Sequence, residues 1–311
     1  MPQDEGVMRQ RGKAMRGKAM RSRVILAGLM APMLIAGAGD PVFVVRGDGV
    51  VPAKLGGQPG KLLLSPWAPA APTLNPGYRT RIGLHAGLFG FSVKVGPVKV
   101  RGDTSVTRLD YQGMSYRRRV VWFERDYAQG ADAAVGPGGI PARVVRFELR
   151  APSGGERETV LPLVQQMFRP SYARVMLGKR PIILLFDPQH PRSLATAGAG
   201  AALAEFLGGE LQGAPQPAHV AFGIMRPARR LKFARPLVFG GLRLDEVLVR
   251  ISDNGSVAGV KDADADPEEV VVTAKRGNER RDVVIIGRDL LDRCAAITFD
   301  KPAKQIRLAC A

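Results

Sequence analysis

The segment PIILLFDPQHPRSL, residues 181–194, ends an apolar strand-like run on one carboxylate, Asp187, then turns through Pro188 and Pro191. A carboxylate fixed there has two uses: it can move a proton, or it can accept the amides of the turn that follows. His190 and Ser193 lie close behind, so a Ser-His-Asp set can be written with Ser193 or with Ser65. The spacing in DPQHP is too tight for a nucleophile elbow and no G-x-S-x-G occurs, so His190 reads as a turn residue. His85 and His219 are isolated. The run DADADPEE (262–269) alternates aspartates as a calcium loop does. It places Pro267 where such a loop needs glycine and Thr273 where it needs a bidentate glutamate, which favours a solvated loop. The two cysteines have no histidines near them, so no metal site is implied, and no cofactor is expected.

The chain has 311 residues and a formal net charge of +18. Its first residues run from a basic stretch (Arg9 to Arg23) through an apolar run (Val24 to Ala36) to Ala36-Gly37-Ala38. That order is the pattern of a secretory signal peptide, expected here as residues 1–38. The apolar run is shorter than the roughly 20 residues of a spanning helix and contains Gly28 and Pro32. Export to the periplasm or the exterior is the expectation. The leader holds seven basic and two acidic side chains, so its removal would leave +13. Outside the cytoplasm such a charge meets anionic envelope surfaces or acidic polypeptides. Basic residues are scattered apart from Arg117-Arg118-Arg119, and few aromatics accompany them, so no nucleic-acid partner is expected.

The elements that must position Asp187 are strands. PVFVVR, KLLLS, FSVKVGPVKVRG, RRRVVWFER and ARVVRFELR are short β-prone runs separated by Gly, Pro, Asn and Asp, as in an all-β fold. Helical signal is confined to SLATAGAGAALAEFLG and GRDLLDR. At the C-terminus, CAAITFDKPAKQIRLAC reads as two strands around the turn Asp300-Lys301-Pro302-Ala303. Pairing Phe299 with Gln305 and Thr298 with Ile306 sets Cys294 opposite Cys310, where a disulfide can close.

Three blocks recur in the same order. GGQPGKLLLSP (56–66) parallels LGKRPIILLFDP (177–188); LDYQGMSYRRRVVWFER (109–125) parallels LVFGGLRLDEVLVRISD (237–253); AAVGPGGIPARVVRFEL (133–149) parallels VIIGRDLLDRCAAITFD (284–300). Shared order argues for an internal duplication, with a first lobe at 39–168 and a second at 169–311.

These residues carry a family resemblance. VVIIGRDLLDRCAAITFD looks like the C-terminal signature of retropepsin-like aspartic proteases, most specifically at Ile286, Gly287, Arg288 and Asp289. The segment from Pro181 is similar to the family's catalytic strand, and the duplicated layout resembles bacterial aspartyl-protease-like proteins with two lobes in one chain. The resemblance implies two pepsin-type β lobes and a cleft roofed by hairpins, placed here at Gly113 and at Gly240-Gly241. It also implies that Asp187 is the only candidate catalytic carboxylate. Aspartic proteolysis needs one carboxylate from each lobe, and the repeat puts Ser65 opposite Asp187. Asp187-Pro188-Gln189 and Ser65-Pro66-Trp67 both depart from the family's Asp-Thr-Gly, and proline removes a backbone donor. The expected function is a monomeric, exported pseudoprotease that binds extended peptide or protein or acts as an envelope scaffold. The alternative is an active endopeptidase using Asp187 with a carboxylate such as Asp48, Asp103 or Asp110. EEVVVTAKR (268–276) also resembles the short strand-pairing segment of TonB-dependent receptors, although an ordinary strand or loop is the simpler reading.

Overall fold

The computed structural model describes residues 41–88, 90–239, 241–253, 255–264 and 282–311. The expected leader, Gly240 and the segment 268–276 lie outside the described residues.

Apolar residues at alternate positions make strands, because successive side chains point to opposite faces. The pattern is clearest in the long strand 98–111, where buried positions alternate with solvated ones. The first half contains β1 (Val42–Val45), β2 (Val50–Leu55), β3 (Gln58–Leu64), β4 (Thr73–Leu74), α1 (Pro76–Arg81), β5 (Gly90–Val95), β6 (Val98–Tyr111), β7 (Met114–Phe123), β8 (Ala133–Val135), β9 (Val144–Glu148) and β10 (Arg157–Val164). The second contains β11 (Tyr172–Leu177), β12 (Arg180–Phe186), β13 (Leu194–Ala195), α2 (Ala197–Leu207), β14 (Gly209–Ala221), β15 (Ile224–Phe239), β16 (Leu242–Arg250), β17 (Lys261–Asp262), β18 (Val283–Ile286), α3 (Arg288–Leu291), β19 (Cys294–Asp300) and β20 (Gln305–Cys310). The fold is all-β with short helices.

The duplication is visible strand by strand. One half orders its strands β2-β3-β8-β4-β7-β6-β5, and the other orders the counterparts β11-β12-β18-β13-β16-β15-β14. The unusual pairings also match. β3 and β8 are parallel with Leu64 beside Val135, as β12 and β18 are parallel with Phe186 beside Ile286. β4 inserts between β8 and β7 as β13 inserts between β18 and β16.

A third layer joins the halves. β9 pairs antiparallel with β19, β1 adds parallel to β9, and β10 crosses to pair with β20. β10 continues from there to β11. The strands nearest the expected boundary at residues 168/169 therefore serve both halves, and residues 40–311 form one unit.

The Cys294–Cys310 disulfide is formed. Its hairpin register differs by one residue from the sequence expectation: Phe299 pairs with Ile306 and Thr298 with Arg307. An irregularity between Cys294 and Ala296 takes up the extra residue and returns Cys294 to face Cys310.

Both expected helices are present. Thr196 caps α2, its hydroxyl accepting from the Ala199 amide, and Gly208 ends it in the left-handed region at φ 69°. α1 was not signalled as a helix by the sequence reading; Pro76 sits at its start, where the missing N–H costs nothing.

Candidate functional site

Asp187 and Ser65 occupy equivalent positions one residue beyond the parallel strands β12 and β3. Their backbone bonds repeat: the Asp187 amide donates to Ile286 O at 2.9 Å and the Ser65 amide to Val135 O at 3.1 Å. The side chains repeat as well. Asp187 Oδ1 accepts the Gln189 amide at 3.0 Å, and Ser65 Oγ accepts the Trp67 amide at 3.2 Å. Each loop closes with a bond three residues on, His190 N to Asp187 O and Ala68 N to Ser65 O, both 3.1 Å. The proline in each loop therefore breaks no bond, since the donors come from the residues around it.

Two glycines hold these loops at short range. A Cβ on Gly287 would meet Arg192 backbone at 2.6 Å, and one on Gly136 would meet Ala68 O at 1.9 Å. No other residue fits without backbone movement. The signature positions beside Gly287 clamp the Asp187 loop. The Arg288 amide donates to His190 O at 2.8 Å, and Asp289 accepts the Ser193 amide and, at 2.7 Å, its hydroxyl. Ile286 is fully buried on β18.

Both loops line one cavity of about 250 Å³ together with Trp67, Tyr127, Gln129, Gln189, His190, His219 and Phe222. Asp187 is 8% exposed and Ser65 4%. Burial raises the Asp187 carboxyl above its ordinary range; the Gln189 amide and the neighbouring His190 pull it back only in part. Tyr127 is raised by burial and by Asp187, and its hydroxyl donates to Trp67 O at 3.1 Å. Burial and His190 lower His219.

Asp187 is the only carboxylate among the described residues lining this cavity. Asp48 does not line this cavity but a neighbouring one, with Ser65, Pro66, Pro188 and Gln189, and its Oδ1 accepts the Val50 amide. Asp110 bonds Ser115 and pairs with Arg108, while Asp103 pairs in the β5–β6 ladder with Gly90. The Ser-His-Asp set with Ser193 does not form: Ser193 is committed to Asp289, and the His190 ring nitrogens face the carbonyls of Arg192 and, at 2.9 Å, His219. In the acidic run, Asp262 is paired with Arg229 and Asp264 accepts the Gly213 amide.

Gly113 and Gly241 stand away from this cavity. Gly113 turns β6 into β7 at the end of that hairpin remote from Phe123. Gly241 packs on Cys310, and its amide donates to Thr159 Oγ1 at 3.3 Å in the joining sheet. The β14–β15 hairpin reaches the cavity through His219, Ala221 and Phe222, and the β5–β6 hairpin packs against β14–β15. Their residues Val95, Val100, Val220, Phe222 and Ile224 share one buried cluster with Phe123 and Leu185. Phe168, Phe91, Phe123, Phe222 and Tyr127 form a chain of ring contacts with successive centroids 5.4, 5.1, 4.6 and 5.3 Å apart. At the tip of β5–β6, Gly96 lies against Asp253 and Arg226 of the second half; Asp253 also pairs with buried Arg250 at 3.1 Å. Above Phe123 and Tyr127, the chain's own rings thus occupy space between the halves.

Tyr127, Phe222 and His219 were not singled out as site residues by sequence. The signal available for Phe222 was the Phe-Gly turn between β-prone flanks in HVAFGIM.

No family model and no curated protein matches the chain. Similar solved structures include two proteases and a protease-like domain. The aspartic proteinase from Irpex lacteus is 13% identical, covers 84% of this chain and 94% of its own, and superposes with a TM-score of 0.42. EIAV protease, solved with the inhibitor HBY-793, is 14% identical over 29% of this chain and 82% of its own, with a TM-score of 0.23. The retroviral protease-like domain of Ddi1 from Leishmania major is 19% identical over 29% of this chain and 71% of its own, also with a TM-score of 0.23.

Proposed function

We propose that this chain is a non-proteolytic protein built on an aspartic-protease-like fold, exported and acting as an envelope scaffold. The observation that carries the reading is the pair of matched turns: one presents Asp187, the other Ser65. Sharing a proton between two carboxylates requires two, and a serine hydroxyl does not ionise at working pH. The ring contacts of Phe222 with Phe123 and Tyr127 support scaffolding over peptide capture, because an extended peptide crossing there would have to displace them. The disulfide is consistent with an oxidising compartment, and the basic charge with peripheral contact to an anionic surface. Both halves reside in one chain, so dimerisation is not needed to build the fold.

The test is incubation of the protein with a library of unstructured peptides from about pH 3 to 7, the range over which carboxylates titrate, with products read by mass spectrometry. No cleavage is expected from the wild type or from Asp187→Ala. Cleavage lost in Asp187→Ala would overturn the reading and establish an endopeptidase with a second carboxylate.

A further inference from the structure

The run Arg117-Arg118-Arg119, which the cavity does not use, gains neighbours when the first half folds. β2, β6 and β7 lie side by side, and alternate residues of a strand share a face. On the outer face Lys54 stands opposite Asp110, Arg108 opposite Arg117, and Val106 opposite Arg119. The alternate positions Leu55, Leu109 and Tyr111 are buried. β3 brings Lys61 to the same face, opposite Pro52. Arg118 points the other way and donates to Gly138 O at 3.1 Å. The carboxylate set among these cations is Asp110, which pairs with Arg108 at 3.4 Å. Asp132, at the β3 margin, accepts the Lys61 amide and is itself paired with Arg81. Asp103 lies on the opposite face of β6, and Glu124 accepts the Arg101 amide beyond it. Lys54, Lys61, Arg117 and Arg119 pair with no carboxylate among the described residues; Arg119 donates to Thr104 Oγ1 at 2.9 Å. Like charges directly opposite, as Arg108 and Arg117 are, weaken a ladder.

We propose that this outer face of β2, β3, β6 and β7 docks on an anionic lipid bilayer. The inference rests on the reading of peripheral contact with an anionic surface, and it names the face and the partner. Cations spread over a strand surface meet a planar array of lipid phosphates, which relieves the repulsion between Arg108 and Arg117. Apolar side chains beside them favour a bilayer over a soluble polyanion, because the headgroup boundary accepts both. Val106 is exposed within the face. Leu88 is also exposed and follows Gly87, whose amide donates to Thr104 O at 2.8 Å, on the residue that Arg119 touches.

The test is co-sedimentation with vesicles of phosphatidylcholine, alone or mixed in equal parts with phosphatidylglycerol. The protein used begins at Asp40, so that the basic leader is absent and the unit 40–311 is complete. Wild type is expected to bind the mixed vesicles, to ignore phosphatidylcholine alone, and to be released by salt. A basic side chain at such a surface is worth about fivefold in affinity, so Lys54→Glu with Arg117→Glu should weaken binding about twenty-five-fold or more. Arg174→Glu with Lys179→Glu makes the same change in net charge at exposed positions of the second half and should keep most of the binding. Both doubles should retain a cooperative thermal transition, and Lys54→Gln with Arg117→Gln replaces the first where it does not. No binding by wild type, equal binding to both vesicles, equal losses in the two doubles, or preference for soluble polyphosphate over the vesicles overturns the proposal. Peptide cleavage would overturn the non-proteolytic reading instead, so the two failures are distinguishable.

Discussion

Phe222 is the residue through which the second half reaches into the first, and its removal has a calculable effect. It is 7% exposed, and its ring meets Phe123 at 4.6 Å and Tyr127 at 5.3 Å. Truncating such a phenylalanine to alanine costs about 3–5 kcal/mol. The backbone adds a second term. Phe222 sits at φ 56°, in the left-handed region that disfavours side chains by about 1–2 kcal/mol. Alanine keeps that strain and glycine removes it, at the cost of a more flexible unfolded chain. Phe222→Gly should therefore be less destabilised than Phe222→Ala, by up to about 1 kcal/mol. Inside an ordinary strand the order is reversed, because glycine is the weaker residue there. Urea denaturation of the three proteins gives both differences, and hydrogen exchange should show protection falling first at the turn end of β14 and β15. A Phe222→Ala variant within about 1 kcal/mol of wild type would refute the claim that this ring anchors the hairpin, since that lies below the range for a buried phenylalanine. A glycine variant less stable than the alanine one would refute the strain argument.

Three further outcomes follow from the same structure. The folded state holds the Asp187 carboxyl above its ordinary value of 3.8, so the native protein binds the proton more tightly than the unfolded chain. Its contribution is fully present below 3.8 and is lost as pH rises through the folded value. Asp187→Asn should thus gain stability relative to wild type on going from acid to neutral pH; an unchanged difference across that range, followed by denaturant titration, would contradict the burial of an unpaired carboxylate. Replacing both Cys294 and Cys310 with alanine opens a loop with a sequence separation of 16. The loss should be about 3 kcal/mol, measured as a fall in the denaturation midpoint that reducing agent reproduces in the wild type. The peptide-library assay should find no Asp187-dependent cleavage.

The all-β class, the duplication and the cysteine pairing were legible because each rests on local pattern: period-two burial, turn residues at intervals, and blocks repeated in order. What the sequence hid depends on irregularity or distance. The irregularity at Ala295 shifts the last hairpin by one residue, and a pairing sum counted from the turn cannot register it. β14 carries Gly213, Pro215 and Pro217, which read as strand breakers; the ladder accommodates them through a register shift between Gln212 and Gln216. The roofing hairpins were placed at Gly113 and Gly240-Gly241 because glycine turns look alike in sequence, whichever end of a sheet they occupy. At the site, the equivalence of Ser65 and Asp187 was readable from the repeat. That Tyr127 and Phe222 would join them was not, since these contacts bring together residues from different halves.

The sheet that joins the halves also constrains the order in which the chain can assemble. β9 cannot complete its pairing until β19 has been made, and β10 waits on β20, the last strand of all. These long loops must close before any of their contacts contribute, which places the protein among slow-folding topologies. While synthesis continues, the first half must present the open edges of β9 and β10 to its surroundings, surfaces that invite mispairing. The hairpin of β19 and β20, short in sequence and cross-linked at its base, can form on its own and then dock as a ready-made wedge between them.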